Sequence, residues 1–124
     1  AMQNAYVPYS GFKVGAALLT KAGKVYRGCN IENAAFGPSN CAERTAFFKA
    51  VSEGERDFAA IAVVGGKDGV VTDIFPPCGV CRQVMQEFCA PDFMIYMGRG
   101  DGSYEPVRLD ALLPYGFTAD KYMK

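Results

Sequence analysis

The chain contains no histidine, so no imidazole exists to bind a metal or to close a metal site. Neither sign of charge is in excess: Lys plus Arg and Asp plus Glu stand at 13 each, for a formal net charge of zero. Phosphate-backbone recognition needs clustered Lys and Arg, which excludes a duplex-binding surface and disfavours a single-strand groove. No uninterrupted apolar run reaches the roughly 18 residues that a membrane helix takes, so no membrane partner is expected. The opening residues show no basic segment, apolar stretch and cleavage site of a secretory leader, and the expected compartment is the cytoplasm. Repeats, linkers and low-complexity tracts are missing too. The 124 residues read as one domain, 1–124, long enough to bury a core without disulfides.

What remains is an ordinary globular composition, half hydrophobic and 21% charged. It holds five cysteines: Cys29, Cys41, Cys78, Cys81 and Cys89. An odd number, with CxxC spacing in "PPCGVCRQV" (Pro76 to Val84), reads as metal binding or redox chemistry rather than a disulfide framework.

Patterning places these cysteines on elements. "FKVGAALLT" (Phe12 to Thr20) and "KVYRGCNIE" (Lys24 to Glu32) read as strands of a hairpin turning at Ala22 and Gly23. "NAAFGPSN" (Asn33 to Asn40) reads as a loop. A helix is predicted from Cys41 to Glu53, with Ser39 or Asn40 as its cap and Gly54 as its terminator. "FAAIAVVGG" (Phe58 to Gly66) is a continuous apolar run, the pattern of a buried central strand. After a loop ending at Pro76 and Pro77, a second helix is predicted from Cys78 to Cys89. "FMIYMGRG" (Phe93 to Gly100) and "SYEPVRL" (Ser103 to Leu109) form strands whose short connection demands antiparallel pairing. A last helix, "LDALLPYGF" (Leu109 to Phe117), leads into a polar tail. The order β-β-α-β-α-β-β-α describes one mixed sheet covered by helices.

Both sulfur-bearing segments open a predicted helix, where unpaired N–H groups and partial positive charge favour thiolate. Cys78 and Cys81, at i and i+3, project from one side of a turn and can grip one ion. Cys41 supplies a third sulfur. Tetrahedral zinc with three protein ligands keeps a position for water, the arrangement of a catalytic site, whereas structural sites are closed by four. Glu43 lies two residues after a ligand in "NCAERTA" (Asn40 to Ala46), and can move a proton at that open position. The bland alternative for Glu43 is a solvated acid in the first helical turn. C-x-E combined with P-C-x-x-C is an established signature of zinc deaminases that act on nucleobases.

From these residues outward, the chain closely resembles the cytidine deaminase family, in its small homotetrameric, three-cysteine form. The similarity runs through "YVPYSGFKVGAALLT", "GCNIENAAFGPSNCAERTAFFKAVSEG", "PPCGVCRQVMQEF" and "LDALLPYGF". The fold it implies is α/β, a three-layer α/β/α sandwich with a five-stranded mixed sheet. The activity it implies is zinc-dependent hydrolysis of cytidine and 2'-deoxycytidine to the uridine nucleosides plus ammonia, in pyrimidine salvage. The resemblance implies one Zn2+ per subunit on Cys41, Cys78 and Cys81, with Glu43 as the proton shuttle. Asn30 and Glu32 are implied at the ribose hydroxyls; Asn30 offers donors and an acceptor and Glu32 only acceptors, a match for a sugar diol. Read without the resemblance, "NIEN" is an ordinary turn. Phe12 is implied as a wall of the pyrimidine pocket and the Ala42 backbone as a contact to the base. In this family neighbouring subunits complete each other's sites, and Ala34, Phe36 and Phe117 look like the residues lent. Phe117 alone reads equally as a core aromatic. Phe36 stands where relatives often have Tyr, and Pro76 where they often have Ser, so a contact of each is in question.

Three thiolates around Zn2+ leave a net negative charge that blunts the metal's acidity, and an arginine bonded to sulfur withdraws part of it. Arg44 and Arg82, each beside a cysteine, are candidates; the resemblance favours Arg44. Cys29 and Cys89 read as small buried hydrophobes, and "RGD" (Arg99 to Asp101) as a turn. Two other functions compete: a blasticidin-type deaminase, which shares the zinc residues but not the "NIEN" segment, and a non-enzymatic domain whose zinc is closed by Cys29 or Cys89.

Overall fold

The computed structural model describes residues 1–119. Its strands are β1 (Phe12–Thr20), β2 (Val25–Cys29), β3 (Phe58–Lys67), β4 (Met94–Gly98) and β5 (Tyr104–Arg108). The helices are α1 (Ala42–Ser52), α2 (Gly79–Phe88) and α3 (Leu109–Leu112), and a 3-10 turn, Met2–Asn4, precedes β1. The sheet order is β2-β1-β3-β4-β5. Only the β3 and β4 pair is parallel, and α2 lies in the crossover that joins those two strands, as parallel pairing requires. The α/β class and the five-stranded mixed sheet are as the sequence indicates.

Alternation along the strands sets which face is buried. Val14, Ala16 and Leu18 of β1, Ile61 and Val63 of β3, and Ile95 and Met97 of β4 point toward the helices. Phe47 of α1 fills the space above them, with its ring 5.1 Å from that of Phe58 and 6.2 Å from those of Phe88 and Phe93. On the other face the 3-10 turn packs against β1 and β2, with Met2 over Gly15. The apolar run of β3 is central, as read, but its burial is one-sided: Ala62 faces outward and is exposed.

Helix α1 is seated directly on β2. At Gly28 a Cβ would lie 2.4 Å from the Ala42 carbonyl oxygen and 2.6 Å from the Ala46 nitrogen. Glycine therefore sets the height of the helix whose first turn carries Cys41, Glu43 and Arg44. Gly28→Ala is expected to lift α1 and destabilise the protein by roughly 1–3 kcal/mol, the usual cost of overpacking. Thermal unfolding alongside zinc content measures it, and an unchanged melting temperature would show that the contact is slack.

Several boundaries differ from the sequence reading, and those nearest the sulfurs and the chain's end do so for local reasons. Strand β2 ends at Cys29 because Asn30 bonds back to β1 and Ile31 pairs with Tyr6 and Asn40 instead. Asn40 exchanges backbone hydrogen bonds with Ile31, so neither it nor Ser39 caps α1; Cys41 is the N-cap. Cys78 and Cys89 likewise flank α2 rather than belong to it. Helix α3 stops at Leu112 rather than Phe117, because Pro114 disfavours helical backbone at Leu113, which sits at φ −135°, ψ 70°. The polar tail beyond it lies outside the described residues from 120 onward. The "RGD" triplet is the β4–β5 turn, where the Gly102 N–H donates to the Arg99 carbonyl at 3.3 Å.

Candidate active site

Two helix starts converge on one point above the sheet. Cys41 and Cys78 are the N-cap residues of α1 and α2, both in extended backbone and neither using its side chain as a cap. Their Sγ atoms lie 3.6 Å apart, and Sγ of Cys78 is 3.4 Å from that of Cys81. All three sulfurs fall within 4.8 Å of one another. Tetrahedral zinc with bonds of about 2.3 Å to sulfur holds such atoms about 3.8 Å apart, so the trio fits that ion. Among the described residues no other group of three or more metal-binding side chains occurs. Cys29 ends β2, Cys89 follows α2 as its C-cap, and neither is in this group. Both are half-buried, and burial pushes the Cys89 thiol up to about 12. A site closed by either of them is not what this fold builds.

The sulfurs are electrostatically unequal. Cys41 is held down to about 5, first by the hydrogen bond from Cys81 and then by Arg44 and Cys78. Cys81 is pushed up, first by that same bond to the Cys41 thiolate, then by burial and by Glu43. Metal binding needs thiolates, so a divalent cation displaces the protons that these sulfurs carry. Arg44 donates from Nη2 to Cys41 Sγ at 3.2 Å. Arg82, the other candidate, instead donates to the Pro77 and Leu112 carbonyls, both at 2.8 Å, and braces α2 against α3.

Glu43 is buried, at 3% exposure, in the first turn of α1. Burial is the main cause that pushes its carboxyl up to about 7, and the Cys41 charge adds to it. The solvated-acid alternative is thereby removed. A carboxyl that titrates near neutrality can both take and return a proton.

These groups form one end of a cavity of about 360 Å³, which Cys41, Glu43 and Cys78 line. Its walls are Phe12, Val14, Ala42 and Phe75. The Phe12 and Phe75 rings lie 6.2 Å apart at 39°. Gly65 makes room for Phe75, since a Cβ there would approach its ring to 3.0 Å. Pro76 also lines it, and the rest of the lining is polar: Ser10, Asn30 and Glu32. A larger hollow of about 460 Å³ lies around Glu87 and Pro91, away from the sulfurs. Chemistry, not size, selects the site.

Asn30 and Glu32 are already heavily used by the protein. Asn30 Oδ1 accepts from the Val14 N–H at 2.9 Å and Nδ2 donates to the Phe12 carbonyl at 2.8 Å. Glu32 Oε1 accepts from the Tyr9 and Ser10 N–H groups at 3.1 Å, and Oε2 accepts from the Ser10 hydroxyl. A carboxylate offers about four lone-pair sites and an amide two N–H donors. One acceptor on Glu32 Oε2 and one donor on Asn30 therefore stay free for a sugar, less capacity than the residue types alone offer.

The fold thus brings together Phe12, Asn30, Glu32, Cys41, Ala42, Glu43 and Cys78 around the cavity, with Cys81 and Arg44 behind it. It does not bring Ala34, Phe36 or Phe117 there. All three are exposed, Phe36 by 74% and Phe117 by 56%, so Phe117 is not a core aromatic. Residue-by-residue reading missed Ser10, Val14 and Phe75. Phe75, three residues before Cys78, carries no motif; only its ring contact with Phe12 reveals it.

The model of the cytidine and deoxycytidylate deaminase zinc-binding region matches residues 1–97. A cytidine deaminase of Halalkalibacterium halodurans is 56% identical over 120 residues, 97% of this chain and 88% of the relative. A cytidine deaminase of Sporosarcina psychrophila is 52% identical over 120 residues, 97% of this chain and 85% of the relative. The crystal structure of cytidine deaminase from Burkholderia pseudomallei superposes with a TM-score of 0.85 at 48% identity, covering 94% of this chain and 90% of that one.

Proposed function

The chain belongs to the cytidine and deoxycytidylate deaminase family, and from that premise we propose how its own residues carry out the reaction. It is a zinc-dependent hydrolase that converts cytidine to uridine and ammonia. Cys41, Cys78 and Cys81 hold the Zn2+. When bound, the ion supplies the acidity that makes hydroxide obtainable from water near neutral pH.

The rest is work for the protein. Glu43 accepts a proton from water and delivers it to N3 of the pyrimidine, which makes C4 electrophilic. The water oxygen adds to C4, giving a tetrahedral carbon. Glu43 then passes the second proton to the amino group, the C4–N bond breaks, and ammonia leaves. Phe12, Val14 and Phe75 exclude solvent from the ring. The free donor and acceptor of Asn30 and Glu32 receive one sugar hydroxyl. A site that reads one hydroxyl accepts 2'-deoxycytidine as well as cytidine. Arg44 moderates the thiolate charge. Arg44→Ala is expected to keep the fold and lose roughly 10–100-fold in zinc affinity or turnover, the usual range for such outer partners. Unchanged metal content and rate would refute that role.

The observation that carries this reading is a buried carboxyl near neutrality beside three converging sulfurs, two of which line the same cavity as that carboxyl. It is tested by following loss of cytidine in the ultraviolet, with blasticidin S as the competing substrate. Cytidine is consumed, activity disappears on chelation, and Zn2+ restores it. Inertness of the zinc-loaded protein toward cytidine would overturn the reading.

We further read 1–124 as one catalytic domain that assembles as a homotetramer. Ala34, Phe36 and Phe117 are each offered to a neighbour's site; they are exposed and outside their own cavity. Phe36 is also held at φ 62°, a conformation strained for a bulky residue. Free thiols that must stay reduced suit a cytoplasmic enzyme of pyrimidine salvage. Among the described residues no helix is long and apolar enough to cross a membrane.

A further inference from the structure

Cavity, the start of β1 and sugar-binding groups meet at one short segment, Ser10 to Phe12. The Ser10 hydroxyl donates to Glu32 Oε2 and accepts from the Phe12 N–H at 3.0 Å. It therefore links the residue that walls the ring pocket to the carboxylate at the polar end. Glu32 Oε1 has two backbone donors, while the hydroxyl is the partner that fixes Oε2, the oxygen with spare capacity. The segment itself is pinned from the end of β3. The Lys67 ammonium donates to the Ser10 carbonyl, and the Asp68 N–H donates to the Gly11 carbonyl at 2.7 Å. Lys67 Nζ also sits 5.4 Å from the Phe12 ring centroid, within cation–π range.

We infer that Ser10 is a positioning residue for sugar recognition: its hydroxyl aims Glu32 Oε2 at the substrate, and Lys67 anchors Ser10 in turn. Ser10 itself needs no contact with the reacting atoms. The inference rests on the proposed function, because it assumes that Glu32 receives a nucleoside hydroxyl. Without the hydroxyl, Glu32 stays tethered through Oε1 and its other oxygen swings free. The consequence falls on substrate binding, not on proton transfer at Glu43.

The test uses the zinc-loaded enzyme with Ser10→Ala, Ser10→Thr and Lys67→Met, assayed on 2'-deoxycytidine and on 2',3'-dideoxycytidine. The dideoxy compound has no hydroxyl on those carbons for Glu32 to receive. Ser10→Ala is expected to raise KM for 2'-deoxycytidine roughly tenfold, the order of one charge-assisted hydrogen bond. Its effect on kcat is expected to be much smaller. For 2',3'-dideoxycytidine the same variant loses several-fold less in kcat/KM, and Ser10→Thr recovers most of the loss. Lys67→Met follows the same substrate pattern with smaller size, and decides the matter if Ser10→Ala does not fold. Equal losses on both substrates, or no recovery with threonine, would overturn the inference while leaving the deaminase reading intact. A wild-type enzyme inert toward both cytidine and 2'-deoxycytidine defeats the deaminase reading itself.

Discussion

Glu43→Gln retains zinc and loses roughly 10²- to 10⁴-fold in kcat, the span usually supplied by a positioned acid–base group. The substitution is close to isosteric, so Ala42, Ala46 and the seat of α1 on Gly28 are untouched. What disappears is the capacity to accept a proton from water and release it twice, to N3 and to the amino group. Metal content by elemental analysis with single-turnover kinetics checks both halves. Substantial residual turnover would remove Glu43 from the mechanism.

The same variant reports on the burial of the carboxyl. In the metal-free protein Glu43 titrates at about 7 in the folded state, against an ordinary value of 4.5. A raised folded value means that the fold binds more protons than the unfolded chain between those two limits. The contribution of Glu43 is fully present below about pH 4.5 and is lost as pH rises through about 7. That interval corresponds to on the order of 3 kcal/mol. Glutamine has no proton to lose, so metal-free Glu43→Gln is expected to be the more stable protein at pH 8 and to lack this slope. Parallel pH dependence of unfolding in the two proteins would contradict it.

Cys81→Ala produces the second large effect. Its sulfur is buried in the first turn of α2 and within reach of both other sulfurs. Alanine leaves two thiolates, one of them on the exposed Cys78, and no histidine in the chain to step in. Zinc affinity is expected to fall by more than the roughly 10–100-fold typical of an outer-shell change, with activity falling in step. Added zinc restores activity only in proportion to occupancy. A competition titration with a chelator measures this, and near-normal affinity would mean that Cys81 is not a ligand.

Much of this was readable in the order of residues because the signals are local. Strand β1 occupies the predicted Phe12–Thr20, since alternation and a hairpin turn are properties of a short window. The sulfurs and Glu43 were legible for the same reason: helix starts place side chains at fixed offsets, whatever surrounds them. Helix ends were less so. Asn40 looks like a cap, but its backbone pairs with Ile31, nine positions earlier in the chain, and the competition is invisible in a window.

Residue types and their spacing pointed to the fold class, to the gathering of Cys41, Cys78 and Cys81 and to the place of Glu43 beside them, because each depends on near neighbours along the chain. Only three-dimensional packing decided how those groups behave. Burial, which no residue carries alone, lifts Glu43 toward neutrality. Contact across the fold, with the Leu112 carbonyl, draws Arg82 away from the sulfurs and leaves Arg44 as the arginine on Cys41. It also brings Phe75 against Phe12 and spends most of the hydrogen-bonding capacity of Asn30 and Glu32 on the protein's own backbone. Desolvation and long-range partnering are properties of distances between segments, and those distances exist only once the chain has folded.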